Sequence, residues 1–371
     1  MTETFAIVHT ESSCGWGGQE LRTLTEAAGM QHRGHRVLLL CPAEAPMHAH
    51  AIQLGVPVTA LPIARKHWRG FAALRAWLKA HPDIDALNTH SSTDAWLAAL
   101  ACATFRHAPP IVRTRHVSTP VNNRAATRWL YQRATRHIVT AGEALRQQLI
   151  RDNGFDAARI TSVPTGIDLT RYAPRDRAEA RRRLGLDLQR KYLGIVATLR
   201  NWKGHTYLLE AFAQLATTQP DWDLVLVGDG PQRHNIEKLV GILNLEGRVR
   251  LVGNRDDVER WLDAFDVFVL PSYGEEGVSQ SVMQAMATGL PVVATTVGAM
   301  AEAVKHEQTG LLVPPRNTEA LHDALACLMR DAALRQHFGA TGLDYARRHF
   351  GIEPMLMRME AVFRKVHGDK S

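Results

Sequence analysis

The stretch Val267-Phe-Val-Leu-Pro271, continued by Ser272-Tyr-Gly-Glu-Glu276-Gly277-Val278-Ser-Gln-Ser-Val-Met-Gln284-Ala-Met286-Ala-Thr-Gly289-Leu-Pro291-Val-Val-Ala294, decides the fold. An apolar run reads as a strand. A glycine-bearing turn with two acids follows, then an amphipathic run that reads as a helix from about Ser279, then a second apolar run. An acid and Gly277 stand where the helix is about to begin.

The same alternation extends outward. In the second half, Leu193–Ala197, Trp222–Val227, Val249–Val252, Val267–Leu270, Pro291–Ala294 and Gly310–Val313 read as six strands. Helical pieces begin near Lys203, Gln232, Asp257, Ser279, Met300 and Thr318. In the first half the strand candidates are Phe5–His9, Arg36–Cys41, Ala86–Thr89, Pro110–Arg113 and His137–Thr140. A helix from Glu20 is ended by Gly34. Strands alternating with helices predict an α/β fold with mostly parallel sheets covered on both faces. Turn residues at Val163-Pro-Thr-Gly166 and Tyr172-Ala-Pro174 mark a connection, so the expected domains are residues 1–170 and 171–351, each doubly wound and Rossmann-like.

A chain of 371 residues is long for a single core, in keeping with two domains. The first residues, Met1-Thr-Glu-Thr-Phe-Ala-Ile-Val-His9, lack the basic and apolar regions of a secretion signal. No apolar run approaches the roughly 18–20 residues of a spanning helix. Four scattered cysteines, Cys14, Cys41, Cys102 and Cys327, form no C-x-x-C pair, which speaks against a zinc site or a disulfide framework and for a reducing cytoplasm. The net charge of +7 is concentrated in the first half: residues 60–136 hold 12 Lys and Arg against 3 Asp and Glu. Such a surface suits an anionic partner or is simply a solvated face.

Several residues have the chemistry of a ligand site. In open α/β sheets ligands bind beyond the carboxyl ends of the strands. Glu276 can accept hydrogen bonds from sugar hydroxyls, Gly277 lets a ligand approach the backbone, and the free N–H groups that follow suit a phosphate. An acid at a helix start can also serve the helix dipole alone. Arg200-Asn-Trp-Lys203 after a strand can neutralise a diphosphate. His90 and His116 each follow a strand and can bond a hydroxyl or a phosphate. Gly15-Trp-Gly17-Gly18 matches neither a dinucleotide fingerprint nor a P-loop, yet makes a plausible phosphate-proximal turn. Asp83-Ile-Asp85 has the form of a metal-binding D-x-D, but it precedes a strand and reads as turn and cap chemistry.

Taken together, Glu276 to Gln284, Gly228-Asp-Gly230-Pro231, Asp266–Ser272, Ala285–Ala294 and Thr309–Val313 resemble family 4 glycosyltransferases in order and spacing. The resemblance covers the second half and, less densely, the first. It implies a GT-B fold, with the two domains facing a cleft and the last helix, about Ile352 to Val366 in residues 352–371, packed back on the first domain. It implies transfer from a nucleotide sugar, UDP-linked by family frequency, with retention of configuration and without an obligatory metal or other cofactor. His116, Glu276 and Lys203 would be catalytic. Gly17, Gly18, Arg200, Lys203, Glu276, Gly277, Val278 and Gln284 would bind the donor, and His90 would line the cleft or meet the acceptor. The acceptor would be a glycan or lipid-linked, as in cell-surface polysaccharide or lipopolysaccharide synthesis, and nucleic acid is not an expected partner.

Two positions depart from the family pattern. Gln284 stands where the family has the second glutamate of E-x7-E, and Thr198 stands where it has an arginine five residues before Lys203. Two alternatives stay open: a GT-B sugar-nucleotide epimerase, and a transferase-like binding subunit without activity, which these two departures motivate. Arg65–Lys79 and Arg124–Arg136 combine cations with Trp, Phe, Leu and Tyr. They read as basic amphipathic helices suited to an anionic membrane surface at the inner face of the cytoplasmic membrane.

Overall fold

The computed structural model describes residues 3–116, 119–274 and 277–368. The chain forms two compact units: one runs to Gly166 and includes the helix from Ile352, and the other is Ile167–Gly351.

Unit 1 is built on seven strands: β1 (Ala6–Thr10), β2 (Arg36–Cys41), β3 (Val58–Ala60), β4 (Ala86–Thr89), β5 (Ile111–Arg115), β6 (Thr135–Thr140) and β7 (Ile160–Ser162). All neighbours pair in parallel, in the order β3-β2-β1-β4-β5-β6-β7. Every residue of β1 and β4 is buried, as expected for central strands with helices on both faces. Sheet growth reverses direction between β1 and β4, and such a switch point leaves a crevice at the carboxyl ends of the two strands.

The last helix, Ile352–Gly368, belongs to this unit. It buries Met355, Leu356, Met359, Val362, Phe363 and Val366 along one stripe, and burial of such a side chain contributes about 1.5–3 kcal/mol. It packs on helix Gly18–His32 so closely that a Cβ on Gly29 would lie 2.5 Å from Leu356 Cδ1. Arg33 closes the contact with Glu353 at 2.5 Å and Glu360 at 2.7 Å.

Unit 2 holds β8 (Lys191–Val196), β9 (Trp222–Val227), β10 (Val249–Gly253), β11 (Val267–Leu270), β12 (Val292–Thr295) and β13 (Gly310–Val313). They are all parallel, in the order β10-β9-β8-β11-β12-β13. The switch point here lies between β8 and β11. Their register ends at Phe268–Gly194, so the two strands part before their carboxyl ends. In unit 1, β1 and β4 stay paired to Thr10–Thr89, the last residue of each. Asp266 anchors the start of β11 by accepting from Arg181 at 2.6 Å, Arg177 at 2.9 Å and the Tyr192 N–H at 2.7 Å, which is a structural role at the end of the sheet away from the switch-point crevice.

Two expectations are corrected. The first concerns the sheets: two edge strands, β3 and β7, add to those read from the sequence, each only three residues long. The second concerns Arg124–Arg136, which is helical only over Ala125–Ala134 and is not one regular α-helix. It is a five-residue helix, Ala125–Trp129, then a π-helical turn, Leu130–Ala134, then the start of β6. Leu130 and Tyr131 are buried there, and the guanidinium of Arg113 lies 4.9 Å from the Tyr131 ring centre, so packing on the sheet sets this backbone.

Candidate active site

In unit 2 the site begins where β8 ends. Residues 197–199 are strapped down by backbone bonds: Ala197 N–H to Val227 O (3.0 Å), Leu199 N–H to Asp229 O (3.0 Å) and Gln232 N–H to Leu199 O (3.0 Å). Glycine makes this approach possible. At Gly228 (φ +135°) a Cβ would stand 2.0 Å from Ala197 O, and at Gly230 (φ +158°) 2.7 Å from Leu199 O. The chain then makes a 3-10 turn, Asn201–Lys203, and enters helix His205–Thr218 through Gly204. Gly204 has φ +78°, and a Cβ would meet Pro271 O at 2.0 Å.

Lys203 is therefore carried on a loop pressed against the exit of β11. Trp202 O accepts the N–H groups of Tyr273 (2.8 Å) and Gly274 (3.3 Å), which joins the two loops across the switch point. Lys203 is partly buried. Arg200 is exposed, with its guanidinium 5.1 Å from the Trp202 ring centre, and its backbone N–H bonds Thr198 O at 2.8 Å. Burial, with Lys203 adding, pulls His205 down to about 4, so this imidazole is neutral.

Gly277 is partly exposed and Val278 is buried just ahead of helix Gln280–Ala287. Gln284 sits one turn into that helix and is partly exposed. Glu276 lies outside the described residues. The side-chain hydroxyl of Ser272, at the exit of β11, is buried without a protein partner among the described residues.

In unit 1, β1, β4 and β5 deliver residues to one edge. His90 and His116 come together, with His90 Nδ1 3.0 Å from His116 Nε2. His9, on β1, completes a row, with its Nδ1 3.0 Å from His90 Nε2. Burial drives all three imidazoles toward the neutral form, His9 to about 3. For His116 the cations Arg22, Arg115 and Arg113 act in the same direction.

Beside the row, Asp94 accepts from Thr10 Oγ1 (2.8 Å), His90 N–H (2.9 Å) and Ser91 N–H (2.9 Å), and so fixes the exits of β1 and β4. Glu11 is fully buried. It accepts from Ser13 N–H at 2.9 Å and Gln19 Nε2 at 2.5 Å, and burial beside Asp94 holds its carboxyl well above the usual range. On helix Gly18–His32, Arg22 and Glu26 form a fully buried pair at 3.9 Å. Arg22 also donates to Val163 O at 2.6 Å, and Glu26 accepts from Asn88, which accepts from Thr114. Burial raises Glu26 to about 7 against the pull of Arg22 and Asn88.

Gly17 caps helix Gly18–His32 in an extended conformation, and Gly18 is its exposed first residue. A Cβ on Gly17 would come no closer than 3.6 Å to Glu20, so the protein's own packing does not require glycine there. Asp83 pairs with Arg36 at 2.5 Å, and Asp85 accepts the Ala6 N–H at 2.9 Å and faces His367 at 3.1 Å. Both carboxylates are engaged at the strand starts, in keeping with cap chemistry. His9, Glu11, Arg22, Glu26 and Asp94 carry no local motif. Their signal lies in position, at or just past a strand exit or one and two turns into the following helix.

The model for Glycosyltransferase Family 4 matches residues 16–171, and that for Glycosyl transferases group 1 matches residues 190–331. Lipopolysaccharide core biosynthesis mannosyltransferase LpsB of Rhizobium meliloti is 31% identical over 266 residues, 69% of this chain and 73% of that protein. The chain belongs to the family 4 glycosyltransferases. A second member of this group, N-acetyl-alpha-D-glucosaminyl L-malate synthase of Bacillus anthracis, is 30% identical over 57% of this chain, which spans 55% of that relative's length. Among solved structures, Anabaena Alr3699/HepE in complex with UDP has the same fold, with a TM-score of 0.87 at 22% identity, over 97% of this glycosyltransferase and 100% of that chain. The GT-B glycosyltransferases thus share its two parallel-sheet, Rossmann-like units.

Proposed function

We propose that this glycosyltransferase moves a sugar from a UDP-linked donor to a glycan or lipid-linked acceptor of the cell surface, with retention and without an obligatory metal. The reading rests on the glycine-clamped loop 197–204, which holds the segment bearing Lys203 against the exit of β11. Lys203 and the N–H groups before helix Gln280–Ala287 would take the charge of the departing diphosphate, aided by Arg200. Glu276 would hold the donor sugar, and Gln284 the ribose through its carbonyl oxygen and amide N–H2. In unit 1, His116 would meet the donor sugar, His90 would support it, and Gly17 and Gly18 would leave room for ligand.

In such a transfer the acceptor hydroxyl attacks on the face the diphosphate leaves, and a leaving-group oxygen takes its proton. The C–O bond to the diphosphate breaks as the new glycosidic bond forms. No protein carboxylate need become glycosylated. The relative named as a lipopolysaccharide core mannosyltransferase supports a cell-surface product, and the neighbour solved with UDP supports the nucleotide. A panel of UDP-, GDP- and dTDP-sugars, read by binding and by nucleotide release with and without acceptor glycans, tests this. Selective UDP-sugar turnover is expected, and turnover confined to another nucleotide would overturn the donor assignment.

Contact with an anionic membrane is part of the same proposal. Among the described residues no helix is long and apolar enough to cross a membrane. Helix Trp68–Ala80 and helix Ser92–Cys102 instead border an apolar groove of about 560 Å³, lined by Trp68, Phe71, Trp96 and Leu100 and rimmed by Lys66. Trp68 is 74% exposed, and no acid occurs between Glu44 and Asp83. Co-sedimentation with phosphatidylglycerol vesicles, absent with phosphatidylcholine and lost in Trp68→Ala, is the expected result.

A further inference from the structure

The row His9, His90 and His116 spans three adjacent strand exits of unit 1. Both N···N contacts are 3.0 Å, both ring-centre separations are 5.2 Å, and the ring planes differ by 16° and 29°. Each separation is the N···N distance plus about a ring radius at either side. The rings therefore run edge to edge rather than face to face, and an N–H in either contact points along the row.

A neutral imidazole carries one N–H, donating at one nitrogen and accepting at the other. Three neutral rings hold three protons on six nitrogens. Each contact needs one proton, since two opposed N–H groups or two opposed lone pairs repel. The third proton must then sit at one end of the row, on His9 Nε2 or on His116 Nδ1. His9 is fully buried, and its Nε2 has no hydrogen-bond partner among the described residues. Orphaned buried N–H groups are rare, and leaving a buried donor unpaired costs about 1–3 kcal/mol. His116 is partly exposed, so a proton on its Nδ1 can find a partner.

We propose that His9 and His90 are positioning residues that hold His116 as its Nδ1–H tautomer, so that His116 meets the transferred sugar as a hydrogen-bond donor. His9 Nδ1–H donates to His90 Nε2, and His90 Nδ1–H donates to His116 Nε2. Reversing the row would move all three protons and bury an N–H at His9. The consequence for transfer rests on His116 meeting the donor sugar, whereas the tautomer stands independently of that reading.

Ring-15N NMR of the full-length chain at neutral pH reads the tautomer, with the signals of His116 assigned by their loss in His116→Gln. The expected result is Nδ1 protonated and Nε2 accepting. In His90→Phe the acceptor nitrogen loses its donor, so the His116 proton should redistribute toward Nε2 and UDP-sugar turnover should fall about tenfold, the worth of one lost hydrogen bond. His9→Asn, which keeps a donor at the place of Nδ1, should preserve the His116 tautomer, and His9→Leu should relax it. This pair decides the matter if His90→Phe does not fold. Protonation of wild-type His116 at Nε2, or an Nδ1–H that persists in both His90→Phe and His9→Leu, would overturn the proposal. A tautomer shift in His90→Phe with unchanged turnover would uphold the row and sink the placement of His116 at the donor sugar.

Discussion

The two switch points of this glycosyltransferase are built from opposite materials. Between β8 and β11 the strands part early, and the crevice is shaped by backbone: glycines at 204, 228 and 230 let carbonyls and N–H groups of adjoining loops touch. Between β1 and β4 the strands stay paired to their ends, and the site is shaped by buried side chains: three imidazoles, Asp94, Glu11 and the Arg22–Glu26 pair. The glycine-made frame that carries Lys203 is itself insensitive to pH, because the backbone contacts that shape it involve no ionisable group. A side-chain-built site stores charge in a low-dielectric interior, so its stability depends on protonation and on each partner staying in place.

The largest effect should come from breaking the charged pair of unit 1. Arg22→Ala strands Glu26 without its cation and should cost about 3–5 kcal/mol in chemical denaturation. A loss below about 1 kcal/mol would mean that the pair is not a buried unit.

Next comes the glycine contrast. Gly204→Ala places a Cβ 2.0 Å from Pro271 O in a left-handed conformation and should cost about 1–3 kcal/mol or more, whereas Gly17→Ala should stay within about 0.5 kcal/mol of wild type. If Gly17→Ala folds normally yet transfers poorly, its missing Cβ serves a ligand. Equal destabilisation by both would erase the contrast.

A third test uses pH. Glu26 is raised from 4.5 to about 7 in the folded chain. A raised carboxyl binds its proton more tightly folded than unfolded, so its contribution to stability is complete below about pH 4.5 and is lost as pH rises toward 7. Glu26→Gln lacks this loss, so its stability relative to wild type should improve between pH 5 and pH 8. His9, lowered to about 3, acts in the opposite direction: its contribution is present above its ordinary value of 6.5 and is lost as pH falls below it. A flat difference between Glu26→Gln and wild type across this range would mean that the carboxyl is not buried as described.

These differences also explain what could be read from the chain beforehand. The long, continuously apolar central strands and the loop glycines of unit 2 leave a sequence signature, because sterics tolerate little else at Gly204 or Gly228. The edge strands β3 and β7 were not legible, since three residues with one neighbouring strand need no apolar run. The row of His9, His90 and His116 was legible only in part. Two of its members stand just past strands, but their alignment depends on the order in which β1, β4 and β5 pair, and topology rather than spacing supplies that. Glu11, Arg22 and Glu26 look like ordinary surface charges in a helix-entry region and become distinctive only once buried. The helical reading of Arg124–Arg136 holds over Ala125–Ala134, as an α turn followed by a π turn, and stops at Thr135, where β6 begins.

Under the proposed function, Lys203 on loop 197–204 would receive the charge of the departing nucleotide diphosphate. Steady-state transfer from the preferred UDP-sugar should fall about a hundredfold or more in Lys203→Ala, with the thermal unfolding midpoint unchanged. Near-wild-type turnover in that variant would mean that Lys203 does not stabilise the departing diphosphate.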